Sequence, residues 1–150
     1  MEYLLSLRNG GDIDTIYMDI VARQSTDSFD IIKYKTEWYK REDSPYEQEF
    51  KLPTTIDTTG TETVRLVLER TIRFDDKDYK IMKYQYDEEN GDDEESLYFY
   101  SPEFGIILFH WGTHRNSQRL IHTGDKQKDR IIYFLTDKIE NDYEMTKEWN

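Results

Sequence analysis

The chain has 150 residues, no cysteine, and a formal net charge of −12 from 32 acidic and 20 basic residues. The absence of cysteine excludes disulfides and thiolate metal sites, and strong acidity argues against nucleic-acid or anionic-membrane binding, which needs basic surface. The aromatic content of 7 Phe, 12 Tyr and 3 Trp supplies core material for one folded, β-rich domain over residues 1–150.

The N-terminal residues 1–11 contain Glu2 and only a short apolar patch, so they do not have the composition of a signal peptide. No stretch approaches the roughly 20 apolar residues of a membrane-spanning helix. We therefore expect a cytoplasmic protein without a membrane span. An exported domain is the alternative if a signal segment has been removed.

Apolar and polar residues alternate along three segments in the first half of the chain, 15–23, 30–40 and 63–74. In the third, Val64, Leu66, Leu68, Ile72 and Phe74 share one parity. In the first, the same is true of Ile16, Met18, Ile20 and Ala22. This period of two predicts antiparallel strands that have one face in a core and the other in water.

Turn-forming residues separate these segments at 9–11, 75–78, 89–93 and 123–129. Such spacing predicts an all-β, mainly antiparallel fold of roughly eight to ten strands in a meander. A sandwich, an open barrel and a closed barrel all remain compatible with it.

Two segments, 104–111 and 130–136, are apolar at nearly every position, which predicts central strands covered on both faces. The segment 137–149 is the candidate cover. Asp137 and Glu140 have the spacing of a capping box, and Ile139 and Tyr143 share one helical face. The sequence thus indicates one short C-terminal helix.

All three histidines, His110, His114 and His122, lie within one stretch of 13 residues. A hairpin through this stretch places His122 opposite Ile106 or Ile107, roughly 10–13 Å from His110 along the sheet. Zinc requires its histidine nitrogens within about 2.1 Å of one point. We therefore expect no shared metal site.

The run from Asp87 to Glu95 contains seven carboxylates and no base. Hard cations such as calcium bind six to eight oxygens, but the ligand spacing of an EF-hand is absent. A solvated hairpin loop is the favoured interpretation, with a calcium site as the alternative.

Motifs of the common enzyme classes are absent, including the nucleophile elbow, phosphate-binding glycine loops, the dinucleotide fingerprint and H-E-x-x-H. Glu103 and His110 could act as an acid and a base in a hydrolase, but alternation places them on opposite faces. The sequence therefore favours a protein that is not an enzyme and needs no cofactor.

Charge is unevenly distributed along the chain. Residues 110–138 contain six bases and three acids, a net charge of +3, whereas the rest contains 14 bases and 29 acids, a net of −15. One interpretation is a basic hairpin that neutralises the acidic run within the fold. The other is a surface with opposed poles that steers a charged partner.

Several aromatic residues, Tyr39, Tyr46, Tyr98, Tyr100 and Trp111, alternate with expected core positions, so some should be exposed or line a concavity. With the charged residues they define a candidate binding set: Asp87, Glu88, Glu89, Asp92, Asp93, Glu94, Glu95, Tyr98, Tyr100, Trp111, Arg115 and Arg119.

These features favour a non-enzymatic module that binds a basic protein partner, such as an inhibitor of the immunity or antitoxin type. The alternative is a barrel or half-barrel that carries a small apolar ligand, like an exported lipoprotein domain. A monomer and a small homo-oligomer are both compatible with the sequence.

Overall fold

Nine strands and two C-terminal helices form the part of the chain that the computed structural model describes, residues 2–7, 13–60, 63–87, 95–111 and 116–149. All strand pairs are antiparallel, so the predicted fold class is confirmed. The elements are β1 (Glu2–Leu7), β2 (Ile13–Ser25), β3 (Phe29–Glu37), β4 (Tyr46–Pro53), β5 (Val64–Phe74), β6 (Lys77–Asp87), β7 (Glu95–Ser101), β8 (Gly105–Trp111), β9 (Asn116–His122), α1 (Lys126–Glu140) and α2 (Tyr143–Thr146).

The strands follow the order β4-β3-β2-β1-β9-β8-β7-β6-β5. A three-stranded half, β2 to β4, and a five-stranded half, β5 to β9, are therefore joined through β1. This central strand pairs with β2 on one side and with β9 on the other. As in a meander, strands that are neighbours in the sheet are consecutive in sequence, except at the β1–β9 junction.

The two halves curl toward each other and form an open roll. Residues from both halves, among them Ile32 and Tyr84, belong to one buried cluster. The segment after β4 bridges the two edges, since Ile56 pairs with Leu66 and the Tyr84 hydroxyl donates to the Pro53 carbonyl at 2.7 Å. No ladder joins β4 to β5 in the described chain, so these strands do not close a barrel.

Aromatic rings fill the interior of the roll. The ring centroids of Phe50 and Tyr98 are 5.3 Å apart, those of Tyr98 and Phe109 are 5.4 Å apart, and both pairs meet edge to face. This geometry is favourable beyond the area that the rings bury. The interior is therefore an aromatic core contributed by β4, β7 and β8.

One-residue bulges correct two of the predicted strand faces. In β5 the register shifts between Leu66 and Leu68, so Leu66 lies in the interior while Leu68, Ile72 and Phe74 pack on the outer face. The shift between Ile20 and Ala22 in β2 likewise leaves Ala22 exposed. A bulge adds one residue, which reverses the facing of all later side chains.

The outer face of the five-stranded half carries a second core beneath α1. Ile132, Leu135 and Ile139 of the helix are fully buried there with Phe99 and Leu108 of the sheet. Every residue of β8 except its last is buried. The prediction that this strand is central and covered on both faces is therefore confirmed.

The predicted C-terminal helix is confirmed, but its start and the strand predicted over 130–136 were wrong. Residues 130–136 form no strand but lie within α1, which begins before the expected helix. The Asp125 carboxylate accepts hydrogen bonds from the backbone N–H groups of Gln127 and Lys128. The turn predicted over 123–129 therefore contains the N-terminal cap of α1. A short apolar run does not by itself distinguish a strand from a buried helix.

Gly105 lies at a close contact between the two halves. Its φ of +85° belongs to the left-handed region, and a Cβ built there would lie 2.6 Å from the Tyr34 hydroxyl oxygen. That hydroxyl accepts a hydrogen bond from the backbone N–H of Ile106 at 2.9 Å. Glycine is therefore required both by the conformation and by the contact between β3 and β8.

Replacing this glycine should destabilise the fold more than replacing a glycine with conformational strain alone. Gly124 has φ +89° but no atom within 4 Å of a built Cβ. Gly124→Ala should cost roughly 1–2 kcal/mol, and Gly105→Ala roughly 2–5 kcal/mol because overpacking adds to the strain. Urea unfolding monitored by circular dichroism measures both, and equal losses would contradict the proposed contact.

Candidate functional site

Several strands end together at one end of the roll. Asp87 pairs with Glu95 across the end of β6 and the start of β7, and the next residue of β7, Ser96, pairs with Trp111 at the end of β8. We call this end, defined by Asp87, Glu95 and Trp111, the aromatic end.

Aromatic rings extend from the core to this end. Trp111 lies parallel to Phe109 with a centroid distance of 6.1 Å, and Tyr86 stacks against Tyr98 at 6.4 Å. Trp38 also packs against the interior cluster. Trp111 is only half-buried, so a continuous aromatic column reaches the surface.

Two polar atoms at the C-terminal end of β3 are buried without a hydrogen-bond partner in the described chain, Thr36 Oγ1 and Trp38 Nε1. The backbone N–H of Trp38 donates to the Ser44 hydroxyl at 2.8 Å, which fixes the start of the adjoining loop. An unsatisfied buried polar group costs roughly 1–3 kcal/mol, and native proteins contain few of them. Thr36 in β3 and Trp38 directly after this strand therefore make the end of β3 a second candidate ligand site.

The acidic run is attached to the aromatic end. Asp87 is exposed, and Glu95 begins the returning strand. Because β6 and β7 pair as an antiparallel ladder, the run joins the two strands of a hairpin. Five acidic members of the candidate set lie outside the described residues: Glu88, Glu89, Asp92, Asp93 and Glu94. The loop and calcium interpretations remain predictions there.

Of the five aromatic residues of which some were expected to be exposed or to line a concavity, the two in β7 are buried. Tyr98 is 6% exposed and Tyr100 is 1% exposed, because both project into the roll from a strand that is covered on both sides. Tyr100 lies far from the aromatic end. Its hydroxyl accepts a hydrogen bond from Arg23 at 2.9 Å. Tyr39, in contrast, is 75% exposed, and Tyr46 is half-buried under the Arg41 guanidinium.

The described histidines do not converge. His110 is buried on the outer face, and its Nδ1 lies 2.9 Å from the Ser117 hydroxyl of the facing strand. His122 pairs with Tyr3 in the β1 ladder. The β8–β9 register is offset by one or two residues from the expected one, in which His122 lay opposite Ile106 or Ile107. His114 lies outside the described residues. Among the residues described, no cluster of metal-ligating side chains occurs.

Glu103 is exposed and accepts two hydrogen bonds from Lys77 Nζ, at 2.8 and 2.9 Å. The pair raises the pKa of Lys77, with the hydrogen bond as the main cause. Glu103 precedes β8 and His110 is near its end, so the strand length separates them. The structure does not bring these two side chains together as an acid and a base.

The basic stretch, residues 110–138, is not a single hairpin, because it spans the end of β8, all of β9 and most of α1. Arg119 forms an ion pair with Glu140 of α1, and an Arg130 nitrogen lies 3.8 Å from an Asp75 oxygen. These bases meet acids on neighbouring elements, while Arg115 lies outside the described residues. Arg119 is on the outer face and does not belong to the aromatic end.

One buried ionic contact was missed by the sequence analysis. Lys83 is 1% exposed, and its Nζ donates to Glu148 Oε2 at 2.7 Å and to the Glu144 carbonyl at 2.9 Å. Lys83 lies at an alternating polar position of β6, where a lysine ordinarily faces water. Only the return of the C-terminal residues over that face buries it, and no local pattern indicates this return.

No family model, curated protein or solved structure matches this chain. Neither of the described helices is long and apolar enough to cross a membrane.

The buried Lys83–Glu148 pair predicts that Glu148 contributes more to stability than an exposed glutamate does. Glu148→Gln should lower the free energy of unfolding by roughly 1–3 kcal/mol because it leaves the buried Lys83 charge without its counter-ion. Glu47→Gln, which breaks the exposed pair with Lys33 at 3.1 Å, should cost less than about 1 kcal/mol. Urea unfolding of both variants tests this, and a larger loss for Glu47→Gln would contradict it.

Proposed function

We propose that this protein is a binding module that docks a basic protein partner at the aromatic end. The observation that supports the proposal is the register of the two residues at the ends of the acidic run. Asp87 lies opposite Glu95, and the next residue, Ser96, lies opposite Trp111. An inhibitor of the immunity or antitoxin type is the form of this function that we favour.

Charge and aromatic surface have separate roles in this proposal. Carboxylates attract a cationic partner and increase its rate of association, while a half-buried tryptophan supplies the apolar contact that dominates many interfaces. At the opposite end of the roll, exposed acids have basic neighbours, as in the pairs Lys77–Glu103 and Arg73–Asp78. The run 87–95 has no base of its own, which favours an external one.

A matched pair of charge reversals tests the position of the site. Asp87→Lys should weaken binding of a fluorescent hexalysine peptide roughly tenfold, because it replaces attraction by repulsion beside the acidic run. Asp27→Lys changes the net charge equally, but Asp27 is exposed in the turn between β2 and β3, in the three-stranded half of the sheet. Fluorescence anisotropy at about 50 mM and about 200 mM salt measures both affinities.

The wild-type affinity should fall with salt, and Asp27→Lys should bind almost as tightly as the wild type. Equal weakening by the two variants would show that the affinity for hexalysine depends only on the net charge of the protein. That result, or an affinity that does not change with salt, would contradict docking at the aromatic end.

A second candidate function is a carrier of a small, largely apolar ligand with one polar group. The buried Thr36 Oγ1 and Trp38 Nε1, both without partners in the described residues, support this function. The aromatic surroundings would bind the apolar part, and these two atoms would hydrogen-bond the polar group. Native mass spectrometry of freshly purified protein tests it, and a mass equal to that of the bare chain would count against it.

Removing the unsatisfied hydroxyl should stabilise the ligand-free protein. We expect Thr36→Val to raise the free energy of unfolding by about 1 kcal/mol, since an unpaired buried hydroxyl is lost. Thr136 is the matched control, because it is equally buried but donates to the Ile132 carbonyl at 2.8 Å. Thr136→Val should instead cost about 1 kcal/mol. Destabilisation by both variants in urea unfolding would show that Thr36 has no unsatisfied polar atom.

A further inference from the structure

The last described residues, 142–149, lie across the outer face of β6, β7 and β8, and we call them the C-terminal segment. Met145 is completely buried in the outer core. The Asp142 carboxylate accepts a hydrogen bond from Arg70 at 3.0 Å, and Glu148 accepts one from Lys83. Trp149 meets the ring of Phe99 edge to face at 6.0 Å.

His110 lies directly beneath this segment. Its ring stacks on Trp149 with a centroid distance of 4.4 Å and an interplanar angle of 6°. Its Nδ1 shares a hydrogen bond with Ser117, whereas its Nε2 is buried without a partner in the described chain. A protonated imidazole carries a hydrogen on each nitrogen, so protonation would place a charged N–H against a site that offers no acceptor.

The charged groups around His110 are matched in pairs. Lys83 of β6 faces Glu148 of the C-terminal segment, and its Nζ also contacts the Glu144 carbonyl. Arg119 of β9 faces Glu140 of α1. Glu148 and Glu140 already neutralise Lys83 and Arg119. These carboxylates therefore do not offset the desolvation cost of a charged imidazolium at His110.

We propose that the C-terminal segment is a pH-sensitive cover, which protonation of His110 releases from the outer face of the sheet. Release would expose the rings of Phe99 and His110 and the ammonium group of Lys83. The cover lies on the face opposite the interior of the roll, so this inference is independent of the function proposed for the aromatic end.

The direction of the effect follows from proton linkage. Burial lowers the pKa of His110 from its ordinary value of 6.5. When the segment is released, His110 is in water and its pKa returns toward that value. The contact is therefore fully favoured above about pH 6.5 and weakens as the pH falls toward the lowered pKa, by up to about tenfold in the open-to-closed ratio per pH unit.

Hydrogen exchange of the full-length chain tests the proposal. Mass spectrometry would follow amides 142–149 near pH 7.5, 6.5 and 5.5, with correction for the intrinsic exchange rate. We expect protection to fall with pH in the wild type and to be independent of pH in His110→Asn, which cannot be protonated. His122→Asn is the matched control, since it removes an exposed histidine on β9 and should retain the wild-type dependence.

Glu148→Gln separates the histidine from the carboxylate. This variant should open more at every pH but keep the wild-type slope. The proposal is overturned if wild-type protection does not change with pH, or if His110→Asn keeps the wild-type slope. Should His110→Asn not fold, the imidazole titration of His110 in the wild type, measured by NMR, must coincide with the loss of protection, and titration without that loss also overturns the proposal.

Discussion

The fold depends on one constraint, the burial of β6, β7 and β8 on both faces. A sheet with two apolar faces needs two covers. The three-stranded half of the same sheet supplies one by curling over the interior, and α1 with the C-terminal segment supplies the other. The roll, the position of the helix and the burial of Lys83 all follow from this requirement.

The same constraint explains what the sequence could predict about the fold. The apolar run of β8 indicated burial on both faces, because a strand with one wet face alternates. The run 130–136 had the same composition but belongs to α1, since Ile132, Leu135 and Ile139 are spaced for one helical face. The bulges in β2 and β5 could not be predicted, because one extra residue leaves the local alternation almost unchanged while reversing the faces.

The candidate site was predictable only in its parts. Composition identified the acidic run and Trp111 separately, but their proximity depends on the long-range register of β7 with β8. The same register places Tyr98 in the interior, so aromatic content did not distinguish a contact residue from a core residue. Thr36 and Trp38 were not identified, because a missing hydrogen bond is a property of the packed structure and leaves no trace in the local sequence.

The most direct test of the account is to map where a cationic peptide contacts the protein. Hexalysine titrated into isotope-labelled protein should shift the backbone amide signals of residues beside the acidic run, namely Asp87, Ser96 and Trp111. The amides of the opposite end, such as Lys77 and Gly105, should not move. Shifts concentrated at that opposite end or along α1 would contradict the assignment of the aromatic end as the docking surface.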